Sequence, residues 1–203
     1  HIYDFHVGYY CDNESCMNKL GEYQTTVTQI PPHYSVRPLL SKYATVQEKL
    51  NLSALYEEVL PNYSQGSLGK NAIHRLLDNE KMYVADFIGD EIVSAVCGAV
   101  YVLPSIVGKV QIGVLSRIAT LPLHQNRGTA KSLVGLAVSD LGEQCDVILS
   151  QVPSNSIGAN SVFHHSGFSY AGILIAHARP QASKEKVYEN RNLWYKITSR
   201  GTH

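Results

Sequence analysis

The sequence predicts an α/β fold, a single mixed and mostly antiparallel sheet flanked by helices, with an irregular N-terminal extension. Three observations predict it. Two β-rich runs, 82–88 and 91–102, are split by Gly89-Asp90, which is a hairpin signal. Between about 110 and 152 a strand, a segment of helical length and a second apolar strand follow one another. The chain has 203 residues, 44% of them hydrophobic, which suits one well-buried core and is too short for two large domains.

The elements follow in order. Residues 1–33 hold no period; Tyr3, Tyr9, Tyr10 and Tyr23 mix with Asp, Asn and Gly until Pro31-Pro32 closes the segment, so it reads as an extension packed through its tyrosines. The domain proper is expected over 34–203. A short strand at 34–39 precedes an amphipathic helix over 45–60, with apolar Val46, Leu50, Leu52, Leu55, Tyr56 and Val59. Residues 61–69 are dense in turn formers, and 71–78 reads as a second short helix. After the hairpin come a strand at 110–120, a helix over 127–144, a buried strand at 147–152, a helix over 157–165 ended by Gly167, and strands at 170–177 and 193–198. Trp194 and Tyr195 alternate on the last strand, so one faces the core and the other a surface or cleft.

Charge and cysteine content bound the partners. Seventeen Lys+Arg balance seventeen Asp+Glu, so the chain lacks the basic footprint that grips nucleic acid or an anionic membrane. The longest apolar run, 92–103, falls far short of the roughly 20 residues of a spanning helix. Four cysteines do not make a disulfide framework, and Cys97 sits in an apolar strand, which points to a reducing compartment, the cytoplasm. The chain begins at His1 without a charged-then-apolar leader, as a processed chain or a domain of a longer one would. His1, His6, Cys11 and Cys16 recur every five residues, but zinc ligands usually come two to four apart, so no metal is expected; a Cys11–Cys16 disulfide is an equal outsider. The oligomeric state is open, a homodimer included.

The chemistry-bearing stretch is 115–134, where a strand enters a turn and the turn opens a helix through Gln125-Asn126-Arg127-Gly128-Thr129-Ala130. The first N–H groups of a helix lack internal partners and lie at the positive end of its dipole, and a glycine there lets a phosphate approach. Arg127 and Lys131 add charge to this anion cradle. Arg-Gly alone, however, is also an ordinary strand-to-helix turn.

Gln-x-x-Gly-x-Ala after a strand and Pro122, together with Asn160-Ser-Val-Phe-His-His-Ser-Gly-Phe, resembles the two landmarks of the GCN5-related N-acetyltransferases over about residues 34–197. The resemblance implies acetyl-CoA as co-substrate, lying in a V-shaped split between the strands that end near Thr120 and Gln151. Ile118, Ala119, Thr120 and Leu121 would pair with the pantetheine arm like an added strand. The N–H groups of Arg127, Gly128, Thr129, Ala130 and Lys131 would hold the pyrophosphate, Gln125 and Asn126 would also bind the coenzyme, and Asn160 and Phe163 would approach the arm or thiol. A narrower resemblance, in Ile118-Ala-Thr-Leu-Pro, Gly158-Ala-Asn-Ser-Val-Phe, Phe168-Ser-Tyr-Ala-Gly-Ile-Leu and Glu189-Asn-Arg-Asn-Leu-Trp-Tyr-Lys, is to β-lysine N-acetyltransferase domains, which implies a small diamine-type amino acid as acceptor. This chain has Leu115-Ser116-Arg117 where that subgroup tends to carry acidic residues.

The expected function is therefore transfer of an acetyl group to a primary amine of a small molecule, an amino acid or diamine. The Glu and Tyr that many members of the family use fall here on Gln151 and Phe163, neither of which moves a proton. Three readings follow. Geometry alone carries catalysis, with protons leaving by water near Ser116, Gln151 or His164; or a base comes from His177, Tyr170, Glu185 or Tyr188; or the fold is a silent acyl-CoA sensor or scaffold. His164 and His165 point about 100° apart on one helix, so at most one faces the coenzyme, and His124 reads as a loop residue without chemical duty. The acceptor pocket is expected from 56–69 and 177–190, with Glu57, Glu58, Glu185 and Glu189 available to a cationic amine.

Overall fold

The computed structural model describes residues 33–39, 43–60, 81–87, 91–105, 108–178 and 188–202. The expected helix at 71–78, Glu185 and the His/Cys pattern of the extension lie outside them. One seven-stranded sheet runs β1-β2-β3-β4-β5-β7-β6, from β1 (Tyr34–Leu39), β2 (Lys81–Phe87), β3 (Glu91–Ser105), β4 (Gly108–Thr120), β5 (Val147–Pro153), β6 (Ser169–Ala178) and β7 (Glu189–Ile197). Every pairing is antiparallel except β4 with β5. The helices are α1 (Val46–Val59), α2 (Thr129–Gly142) and α3 (Ile157–His165). Among the described residues no helix is long and apolar enough to cross a membrane.

Helix α1 begins where Thr45 predicts. The Thr45 hydroxyl accepts from the Glu48 N–H at 3.1 Å while Glu48 accepts from the Thr45 N–H at 2.7 Å, a reciprocal cap that satisfies two otherwise orphaned donors. Its buried seam is Leu52, Ser53, Leu55 and Tyr56. Leu50 is exposed, against expectation, because at about 100° per residue it falls on the far side of the helix from that seam, and Val46, the first residue of the helix, is exposed as well.

Two cores lie on opposite faces of the sheet. On one, Tyr83, Leu115, Ile148 and Trp194 pack against Leu133 and Val134 of α2 and Phe163 of α3. On the other, Met82, Val84, Ala95, Cys97 and Ala119 pack against Leu52, Leu55 and Tyr56 of α1. Cys97 and Cys145 are buried thiols, not joined in a disulfide.

Two departures from regular pairing shape the middle of the sheet. The parallel β4–β5 ladder runs from Ile112↔Val147 to Leu115↔Ser150 and stops, although both strands continue. Nearby, β3 and β4 slip register, so Val96 alone stands opposite both Arg117 and Ile118. Arg117 carries the strain of this bulge at φ 51°, a left-handed value that a non-glycine residue seldom takes.

Candidate functional site

Beyond Leu115 and Ser150, β4 and β5 splay apart, leaving a wedge open at their C-terminal ends. The Ala119 carbonyl accepts from Ser94 Oγ at 2.9 Å and the Leu121 N–H donates to Val93 O at 2.9 Å, so these groups face β3. Alternation then directs the backbone of Ile118 and Thr120 toward the gap left by β5. Such an edge can take an extended ligand as an extra strand. The bulge that aims it is held from the other face, where Tyr56 Oη donates to the Arg117 carbonyl at 3.0 Å.

The chain leaves β4 through a single 3-10 turn, Pro122–His124, and Gln125 Nε2 folds back to donate to Thr120 O at 3.2 Å. Asn126 (φ 58°) and Gly128 (φ 80°) are both left-handed, a conformation that costs a glycine nothing. Gly128 is the N-cap of α2 and supplies no side-chain cap, so the amides that open the helix at Thr129, Ala130 and Lys131 have no side-chain acceptor there. Gln125, Asn126 and Arg127 are exposed at the rim, while Thr129 is buried beneath it. The cradle therefore exists as a geometry: backbone donors at the positive end of a 14-residue helix, beside the open wedge.

His124 is more than a loop residue. Its Nδ1 lies 3.0 Å from Tyr34 Oη, and its ring packs against Phe87 with centroids 4.9 Å apart. Since β1 is the sheet edge and β2 and β3 intervene, the turn before the cradle is moored across the end of the sheet.

Three expectations about single side chains need correction. Asn160 is fully buried; Nδ2 donates to Pro153 O at 3.0 Å and Ser156 O at 2.7 Å, and Oδ1 accepts from Asn192 Nδ2 and Trp194 Nε1, both at 2.9 Å. With all four hydrogen-bonding positions engaged, it braces α3 against β5 and β7 and has nothing left for a coenzyme. Phe163 is likewise buried, edge-on to Phe168 at 5.0 Å, and belongs to the core. His164 is exposed with its ring 6.3 Å from Trp194, on the α3 face, whereas Ser116 and Gln151 project from the opposite face of the sheet. Its neighbour His165 is tied to the Ser161 carbonyl at 2.8 Å.

Ser116 and Gln151 share a face of the sheet. They occupy the first positions past the last β4–β5 pair, on the face that carries α1. Arg117 joins them there, with Nη1 donating to Ser116 Oγ at 3.4 Å and lying 3.6 Å from Cys97 Sγ. On the same face β7 brings Arg191 opposite Pro153, just beyond Gln151, and Arg191 pairs with Glu189. β7 starts four residues earlier than its sequence suggests, because Glu189-Asn-Arg-Asn hides a strand in polar residues. Opposite it, β6 bulges between Leu174 and Ala178, with Ala176 at φ 48° and its N–H donating to Asn190 Oδ1 at 2.9 Å.

This bulge carries His177, whose pKa is lowered by burial and further by the neighbouring Arg191 charge, so the imidazole is neutral near pH 7. The other candidate bases fare differently: Tyr170 lies 5.5 Å from Trp194 on the α3 face, and Tyr188 is exposed. Glu189 is engaged by Arg191, Glu57 accepts from Ser53 Oγ at 3.2 Å, and Glu58 is exposed. Among the described residues no three His, Cys, Asp or Glu side chains could share a metal ion.

In sequence the chain matches no family model and no curated protein. In structure it is similar to many solved acetyltransferases. Arabidopsis thaliana NAA60 with a bisubstrate analogue superposes at a TM-score of 0.66 and 12% identity, over 82% of this chain and 98% of that one, and the same protein was solved with acetyl-CoA. The ribosomal-protein-S5-alanine acetyltransferase of Vibrio fischeri gives 0.64 at 13% identity, over 85% and 97%. A GNAT-family acetyltransferase of Streptococcus pneumoniae gives 0.58 at 18%, over 81% and 99%. The narrower β-lysine likeness is carried by sequence motifs alone. The architecture built by these residues is the fold of the GCN5-related N-acetyltransferases.

Proposed function

We propose that the protein is an acetyltransferase that moves the acetyl group of acetyl-CoA to a primary amine of a small molecule. One observation carries this reading: the β4–β5 ladder ends at Leu115↔Ser150 beside a helix whose uncapped N-terminus opens on left-handed Gly128. A thioester arm and a diphosphate are the two parts of a ligand that such a wedge and such a cradle would take together.

In this reading Ile118 and Thr120 align the pantetheine arm, the cradle amides of 128–131 hold the pyrophosphate, and Gln125 braces the turn. The acceptor enters on the α1 face, past Ser116 and Gln151. Its nitrogen lone pair forms the new N–C bond at the thioester carbonyl, the C–S bond breaks, and the sulfur leaves as thiolate. The amine must lose a proton, and His177 is the base, kept neutral by burial and by Arg191. Alignment supplies most of the acceleration, since proximity alone is worth ~7–11 kcal/mol.

The alternative is a coenzyme-binding sensor. It is favoured by Gln151 and Phe163 standing where the resemblance leads one to expect a Glu and a Tyr. A thermal-shift titration with CoA and acetyl-CoA, followed by free-thiol release over a panel of small amines, separates the two. Stabilisation with thiol release supports the transferase, stabilisation without it the sensor, and no stabilisation removes both.

A further inference from the structure

The acceptor-side face carries a polar atom of Arg191 that neither folding nor the proposed chemistry explains. The Arg191 side chain is only 18% exposed, and its Nε is buried without a hydrogen-bond partner. A buried donor left unsatisfied calls for a specific cause. Glu189 does not supply the missing acceptor, for its Oε1 takes a hydrogen bond from Arg191 Nη2 and leaves Nε unmatched. Nε and Nη2 lie on one edge of the guanidinium plane, the edge that binds a carboxylate with two parallel hydrogen bonds.

Position gives this edge its meaning. Arg191 stands opposite Pro153 at the C-terminal end of β5, on the sheet face shared by Ser116 and Gln151. Arg117, across the split on β4, adds a second guanidinium to that face. The cationic amines suggested by the sequence would meet two positive charges there, with the Glu189 carboxylate already engaged by Arg191.

We propose that Arg191 recognises a carboxylate on the acceptor, so that the substrate class is a small primary amine that also bears a carboxylate, rather than a diamine without one. This rests on the transferase reading. The amine would reach the thioester at the split while the carboxylate takes the Nε edge, which fixes the molecule at both ends.

The test compares matched acceptors: β-alanine, γ-aminobutyrate and δ-aminovalerate, each beside the alkylamine of the same chain length, with thiol release from acetyl-CoA as readout. For at least one pair the wild-type protein is expected to favour the amino acid by about tenfold or more in kcat/KM, mainly through KM. Arg191→Gln should collapse that ratio toward one, and Arg191→Lys, which keeps the charge but not the fork, should lower it partway. Glu189→Gln should raise it by removing the competing carboxylate. Equal treatment of every pair, a preference that survives Arg191→Gln, or no thiol release from any amine overturns the assignment. If CoA fails to raise the wild-type melting temperature, the coenzyme reading itself has failed, which is a distinct outcome.

Discussion

Trp194 Nε1 and Asn160 Oδ1 are 2.9 Å apart, and that hydrogen bond joins β7 to α3 in the interior of the helix-bearing face. The same oxygen serves Asn192, so one amide closes the triangle of β5, α3 and β7. Asn160→Ala should strand the indole N–H and the Asn192 amide in the core. The expected cost is about 2–4 kcal/mol, from two unsatisfied donors at roughly 1–3 kcal/mol each with partial relaxation. Thermal unfolding should show a drop on the order of 5–12 °C for a chain of this size. A change below two degrees would contradict the bracing role.

Gly128→Asp places a side chain at a left-handed φ of 80° and a carboxylate where the proposed reading seats a diphosphate. CoA at 100 times its wild-type dissociation constant should stabilise the wild type by ~2.7 kcal/mol and the variant by close to nothing. Unchanged affinity in calorimetry would remove the cradle from the account.

The rate should depend on pH through His177. Its folded pKa lies below the ordinary 6.5, because burial disfavours the imidazolium and Arg191 repels it. The base is therefore competent above that depressed pKa and lost as pH falls through it. In the proposed reading the acid limb of kcat/KM should have its midpoint below pH 6.5, and His177→Gln should abolish that limb. A wild-type limb centred above 6.5 would assign the proton to another group.

Glu48 offers a separate acid probe. Burial alone would raise its pKa, but hydrogen bonds from Thr45 and the Arg37 guanidinium outweigh it and bring the value below 4.5. A depressed carboxylate contributes stability that is present above its unfolded pKa and lost as pH falls through its folded one. Urea midpoints should therefore fall below about pH 4.5, and Glu48→Gln should be less stable than wild type at pH 7 and flatter across that window.

Much of this fold is written in short-range signals. The apolar spacing through Leu52, Leu55 and Tyr56 announces α1, the Gly89-Asp90 pair announces the β2–β3 connection, and the Pro122–Gly128 stretch announces the entry to α2. What escaped were features that depend on partners far along the chain. Nothing near Asn160 reveals that Asn192 and Trp194 will enclose it, so a landmark that reads as coenzyme contact is in fact a brace. The left-handed Arg117 has no glycine to betray it, since a tyrosine 61 residues away holds its carbonyl. Glu189 reads as a loop charge because polar residues conceal the start of β7.

The tether between His124 and Tyr34 ties the turn before α2 to the outermost strand. A turn anchored that far away cannot drift with the local loop, so in the proposed reading the distance from the diphosphate seat to the thioester wedge would be set by the breadth of three strands. Slackening that anchor, by Tyr34→Phe for instance, would quicken CoA departure in stopped-flow while leaving the acetyl-accepting face intact.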